Sequence, residues 1–136
     1  MQVVIICGGK GTRLKKIYKS TPKALIKFNN KPNLGYQINK LKKNNINDFL
    51  FLTKYQDEKI ISYVKKTKIK NYKILSDKHF FGTAGSLIGA KKFLKKEFIV
   101  LYADIFIEFN FKKFLTFCRK KNSSATVVVQ ANSHPY

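Results

Sequence analysis

Three charged side chains stand where phosphate chemistry could use them. Arg13 lies inside a glycine-rich turn, Gly8-Gly9-Lys10-Gly11-Thr12-Arg13-Leu14, and Lys23 comes ten positions later, after Thr21-Pro22. Asp104 follows the apolar run Phe98-Ile99-Val100-Leu101-Tyr102 with only Ala103 between. Three glycines in four residues let a backbone turn sharply and bring its N–H groups close to a ligand without bulk, which suits a polyphosphate. Arginine adds a planar fork for bidentate phosphate contact, and lysine a second cation. One carboxylate, with phosphate oxygens and water, suits Mg²⁺. Arg13 and Arg119 are the only arginines in a chain whose other cations are all lysine, so an arginine in the glycine turn points to a site that needs its fork.

The familiar phosphate loops do not fit. A P-loop requires Ser or Thr after its lysine, but Lys10 is followed by Gly11; a dinucleotide fingerprint built on Gly9 and Gly11 requires glycine where Leu14 stands. Both loops open straight into a helix, whereas Lys15 to Pro22 is basic, polar and ends at a proline.

The glycine turn together with Pro22-Lys23-Ala24-Leu25 resembles the signature of the sugar-1-phosphate nucleotidyltransferases. Phe81-Gly82-Thr83-Ala84-Gly85-Ser86-Leu87 and Leu101-Tyr102-Ala103-Asp104 extend the resemblance over nearly the whole chain. The ending Asn132-Ser133-His134-Pro135-Tyr136 is similar to a narrower branch, the heptose- and mannose-1-phosphate guanylyltransferases. The resemblance implies transfer of a nucleoside monophosphate from a triphosphate, GTP in that branch, to a sugar 1-phosphate with release of pyrophosphate. A non-catalytic nucleotide-binding or assembly relative is the alternative. Family domains are longer, so the resemblance also implies an N-terminal, nucleotide-binding portion with little turnover of its own. Most of the sugar pocket and a second metal-binding carboxylate would then come from beyond Tyr136.

The resemblance assigns roles as well. Gly8, Gly9 and Gly11 would cradle the triphosphate, with Thr12 among the nucleotide-binding residues. Arg13 would neutralise the β- and γ-phosphates, and Lys23 would grip the α-phosphate or the sugar phosphate. Gly82 and Thr83 would lie against base and ribose, although Thr83 also reads as the N-cap of a helix starting at Ala84. Asp104 would hold Mg²⁺, and Ala103 replaces the family's usual glycine, which would slightly crowd the nucleotide. Asp77 is a weak candidate for base recognition against a turn-forming role. His79 and His134 are not read as bases, because an attacking phosphate is already ionised at neutral pH.

The elements that must position these groups follow from hydrophobic periodicity. Strands are expected at Val3–Cys7, Asp48–Leu52, Lys73–Leu75, Phe98–Tyr102 and Ala125–Val129. Helices are expected at Asn33–Asn44, Tyr55–Lys66, Ala84–Leu94 and Phe111–Lys121, and a turn at Asn29–Pro32. Alternation of this kind predicts an α/β fold, a Rossmann-like, doubly wound, mainly parallel sheet of the nucleotide-diphospho-sugar transferase type, truncated at its C-terminus. The whole of residues 1–136 reads as one domain. Ligands of such sheets bind beyond the carboxyl ends of the strands, which would gather the segments after the first, third and fourth strands.

Composition bounds the rest. The chain has 136 residues, 44% of them hydrophobic, as in a globular domain rather than a disordered one. The net charge of +21 would suit nucleic acid, but the lysines are scattered and no arginine–aromatic patch accompanies them, so no nucleic-acid partner is expected. No apolar run reaches the roughly 18 residues of a spanning helix, and no signal pattern precedes the first strand; a cytoplasmic protein without a membrane partner is the expectation. Cys7 and Cys118 have no metal-ligand spacing and read as reduced thiols. A homo-oligomer stays open.

Overall fold

The computed structural model describes residues 1–9, 20–76, 82–106 and 108–129. Its centre is a sheet of four parallel strands in the order β5-β4-β1-β6. These are β1 (Gln2–Ile6), β4 (Asp48–Thr53), β5 (Asn71–Ser76) and β6 (Phe98–Tyr102). The register sets Val4 beside Leu50 on one side and Val100 on the other. A small antiparallel hairpin, β2 (Lys27–Phe28) and β3 (Lys31–Pro32), turns through Asn29 and Asn30, both with left-handed backbones at φ 45° and 63°. Two consecutive left-handed residues make the two-residue turn whose twist matches a hairpin, and asparagine tolerates that conformation better than most.

β1 and β4 are nearly continuous apolar runs because both of their faces are covered. On one face, Val3, Ile5, Phe49, Phe51, Ile99 and Leu101 form one core with three helices. These are α1 (Asn33–Lys43), α2 (Asp57–Lys66) and α4 (Phe111–Lys121), which contribute Leu34, Ile38, Leu41, Ile60, Val64 and Phe111. On the other face, Val4, Leu50 and Leu52 pack with Ala90, against which Leu87 and Leu94 lie. Leu87 belongs to α3 (Gly82–Gly89), and Ala90 and Leu94 flank the 3-10 turn Lys91–Phe93 that follows it. Helices on both faces of a parallel sheet are the doubly wound arrangement that the sequence predicts.

Two expectations need correction. The helix expected over Ala84–Leu94 stops at Gly89, where glycine weakens helix continuation; Ala90 is fully buried against the sheet and the chain continues in the 3-10 turn. The strand expected at Ala125–Val129 is not formed. Those residues favour a strand by type, but a strand needs a ladder partner. Among the described residues β6 pairs with β1 alone, and Val127, Val128 and Val129 are exposed.

The amino-terminal rim of the sheet is tied shut by polar contacts. The Gln2 amide donates to the Phe93 carbonyl at 3.0 Å and accepts from the Lys95 N–H at 3.0 Å, and Lys95 pairs with Asp48 at 2.6 Å. Among the described residues the carboxyl rim holds a cleft.

Candidate active site

The strand order places a switch point beside β1: the chain leaves it to one side toward β4 and β5, and returns on the other as β6. At such a point the connections diverge and leave a crevice beyond the carboxyl ends of the strands. Two hydrogen bonds carry the ladders past the strand ends, Cys7 N–H to the Leu52 carbonyl at 2.7 Å and Ala103 N–H to the Ile6 carbonyl at 3.0 Å. Gly8 and Asp104 therefore emerge side by side at the rim.

A cleft of about 320 Å³ occupies this rim. Gly8, Gly9, Lys23, Gly82, Thr83 and Asp104, far apart in sequence, all line it. Gly8 has a packing reason to be glycine, since a Cβ there would lie 3.2 Å from the Lys54 Cβ. Gly9 has none among the described residues, because a Cβ there would meet none of their atoms within 4 Å; on that side its backbone offers room for a ligand. Gly82 opens α3 with φ +64°, the left-handed conformation that glycine adopts without strain.

Lys23 reaches the cleft from a 3-10 turn, Lys23–Leu25, held by the Leu25 N–H to the Pro22 carbonyl at 2.8 Å. Its Nζ lies 3.2 Å from Asp104 Oδ2, with both side chains partly exposed. Cation and carboxylate thus share one spot, each open to an incoming group. Thr83 lies within the first turn of α3 rather than capping a helix that starts at Ala84, and its hydroxyl accepts from the Tyr102 phenol at 3.2 Å. That contact spans the cleft from α3 to β6. Ala103 is 2% exposed and packs with the core, so its methyl is taken up by the core on the α1 face.

Asp104 fits a metal ion only as a single carboxylate. Among the described residues no three of His, Cys, Asp and Glu gather into a ligand set. One partly exposed carboxylate at the edge of an open cleft suits a hard cation whose other ligands are phosphate oxygens and water, not a closed structural site. Cys7, on the cleft wall, does not add a thiolate. Burial foremost, and then the negative charge of Asp104, push its pKa well above the ordinary value of 9.0, so it remains a neutral thiol. Cys118 is also free.

Gly11, Thr12, Arg13, Asp77, His79 and His134 lie outside the described residues. Three features of the site were not expected from sequence. Thr53 and Lys54 enter because β4, too, ends at this rim, which the carboxyl-end rule would have indicated. Tyr102 enters through its hydroxyl. Asn33 and Gln37 do not line the cleft, but both are buried and donate to the backbone around Asp104. The signal for them was present: two amides one helical turn apart, among the apolar residues Leu34, Ile38 and Leu41.

The family model described as nucleotidyl transferase matches residues 2–135. A D-glycero-alpha-D-manno-heptose 1-phosphate guanylyltransferase of Campylobacter jejuni is 39% identical over 117 residues, covering 83% of this chain and 52% of that protein. A mannose-1-phosphate guanyltransferase of Yarrowia lipolytica is 32% identical over 141 residues, covering 99% of this chain and 39% of that protein. Among solved structures, HddC from Yersinia pseudotuberculosis superposes with a TM-score of 0.77 at 28% identity, over 86% of this chain and 53% of that one. The same protein complexed with GMP-PN gives a TM-score of 0.74. The chain thus spans about half or less of the length of these relatives.

Proposed function

The chain belongs to the nucleotidyl transferase family, and we propose that it forms the nucleotide-binding part of an enzyme that transfers GMP from GTP to a sugar 1-phosphate of the heptose or mannose type. The observation that carries this reading is the meeting of Gly8, Gly9, Lys23, Gly82, Thr83 and Asp104 in one cleft at the switch point of the sheet. The guanylyltransferase names of two relatives support the choice of base and sugar.

The reaction asks for positioning and charge stabilisation rather than covalent chemistry. A phosphate oxygen of the sugar 1-phosphate attacks the α-phosphorus of GTP in line. The new P–O bond forms as the bond to the β-phosphate oxygen breaks, and pyrophosphate leaves with that electron pair. No proton has to be removed from the nucleophile, because a sugar phosphate is already ionised at neutral pH. Backbone N–H groups at Gly8 and Gly9, with Gly11 and Thr12, hold the triphosphate. Lys23 offsets negative charge where the two phosphates meet, and Arg13 does so on the departing pyrophosphate. Gly82 leaves room for the nucleoside beside Thr83.

Asp104 would hold Mg²⁺, which when bound supplies charge neutralisation to the phosphate oxygens. Lys23 lies within 3.2 Å of that carboxylate, so the cation that would neutralise phosphate and the residue that would hold the metal stand side by side. Sugar phosphate and triphosphate are the partners in this reading, with no nucleic acid or membrane partner and a cytoplasmic location. Titrating the chain with each of four nucleoside triphosphates, with and without Mg²⁺, tests it. GTP binding that needs the divalent ion is the expected result; Mg²⁺-independent binding or none would overturn it.

A further inference from the structure

We propose that Asn33 is a positioning residue that sets the separation of Lys23 and Asp104, with Gln37 as a second anchor one helical turn along α1; the role rests on the proposed nucleotide site. The backbone N–H of Asn33 donates to the Ile26 carbonyl at 3.1 Å, and Ile26 N–H closes the turn onto the Lys23 carbonyl at 3.2 Å. The side-chain amide of the same residue donates to the carbonyls of Ala103 at 2.8 Å and Ile105 at 3.2 Å, the two residues flanking Asp104. One residue therefore grips both the turn that carries the cation and the loop that carries the carboxylate.

Gln37 completes the grip on the loop. Its amide donates to the carbonyls of Tyr102 at 2.8 Å and Ile105 at 2.5 Å. The peptide before Asp104 is held by Asn33 through the Ala103 carbonyl, and the peptide after it by the Ile105 N–H, which donates to the Tyr102 carbonyl at 3.2 Å, the same carbonyl that Gln37 grips. The Asp104 carboxylate then starts from a fixed backbone and points across to Lys23. Elements that do not touch a ligand but orient the groups that do commonly control metal affinity.

The two amides also carry a cost. Asn33 is 2% and Gln37 4% exposed, and among the described residues their side-chain oxygens Oδ1 and Oε1 have no hydrogen-bond partner. Buried acceptors without partners are unfavourable. What the amides supply in exchange is four bonds to one short loop.

The test uses the full chain with Asn33→Leu and, as the milder variant, Gln37→Met. Hydrogen exchange of the 103–105 amides is measured first, without ligand. Faster exchange there in the variants, beyond any change in α2 and α4, is expected; unchanged exchange overturns the proposal whether or not the protein binds nucleotide. Mg²⁺-dependent GTP affinity is then compared in the native and Asp104→Asn backgrounds. Asn33→Leu should weaken it by about 10- to 100-fold in the first and by less than about twofold in the second. Equal losses in both backgrounds would mean that Asn33 does not act through Asp104, and would overturn the proposal. Should the native chain show no Mg²⁺-dependent binding, the nucleotide reading falls and the exchange result alone decides on the positioning role. If Asn33→Leu does not fold, Gln37→Met carries both comparisons.

Discussion

Lys23 Nζ lies 3.2 Å from Asp104 Oδ2, across a cleft whose two sides are joined by nothing else of opposite charge among the described ion pairs. The pair is partly exposed, so its contribution to folding is about 0–1 kcal/mol. Its place at the switch point is what gives it meaning. Asp104→Asn is expected to weaken Mg²⁺-dependent GTP binding severely, leaving a residual affinity against which further variants are compared, while lowering stability by less than about 1 kcal/mol. Calorimetric titration beside a thermal melt separates the two, and unchanged affinity would remove Asp104 from the site.

Lys23→Gln should act in opposite directions on two ligands. Without its lysine, Asp104 is free to bind a cation, so affinity for Mn²⁺ alone should rise, by less than about tenfold for a partly screened pair. Affinity for GTP should fall. Parallel Mn²⁺ titrations with and without nucleotide read both effects, and a fall in both would show that Lys23 does not compete for the carboxylate.

Gly9→Ala tests whether the open space beside that residue belongs to a ligand. A methyl group there meets no atom of the described residues within 4 Å, so the melting temperature should hold. Triphosphate affinity should fall about tenfold or more, the effect of roughly 1.4 kcal/mol of lost backbone contact. Equal affinity in the variant would place the triphosphate elsewhere.

Gly35→Ala is expected to destabilise the fold by about 1–3 kcal/mol, the usual result of overpacking. A Cβ at this position of α1 would collide with the Tyr63 hydroxyl on α2. Adding Tyr63→Phe should recover part of the loss, and chemical denaturation of the single and double variants measures the coupling.

Stability should fall in alkaline solution. Burial raises the pKa values of the Cys7 thiol and the Tyr63 phenol above 9.0 and 10.0, so the unfolded chain gives up these protons before the folded one does. The stability is fully present below about pH 9 and declines as pH rises from there toward the folded-state values. Cys7→Ala should flatten the first part of the decline in melts between pH 8 and about 10.5. Alkylation followed by peptide mapping should label Cys118 well before Cys7, which is 4% exposed.

Much of this site could be read from the chain itself, and the reasons differ by residue. Phe98–Tyr102 and Phe111–Lys121 form as expected because each pattern is unambiguous: five apolar residues in a row, and a helical face based on Phe111. Asp104 was legible through its place after a core strand. Asn33 and Gln37 stand out as two amides one helical turn apart among apolar residues, but what they hold does not, since the carbonyls lie some seventy positions away and no local period reports such a contact. Ala125–Val129 failed for a related reason. Valine content signals willingness to pair, while the presence of a neighbour is a property of the whole sheet.

The central position of β1 has a consequence for how the protein is born. Residues Gln2–Ile6 leave the ribosome before either neighbour, yet one flank can be satisfied only when Asp48–Thr53 has emerged and the other only when Phe98–Tyr102 has. Closing so long a loop is entropically slow, and until then the glycine corner has no opposite wall. A nascent chain therefore has no finished pocket until Phe98–Tyr102 is made, and nucleotide could report on the moment at which that strand docks.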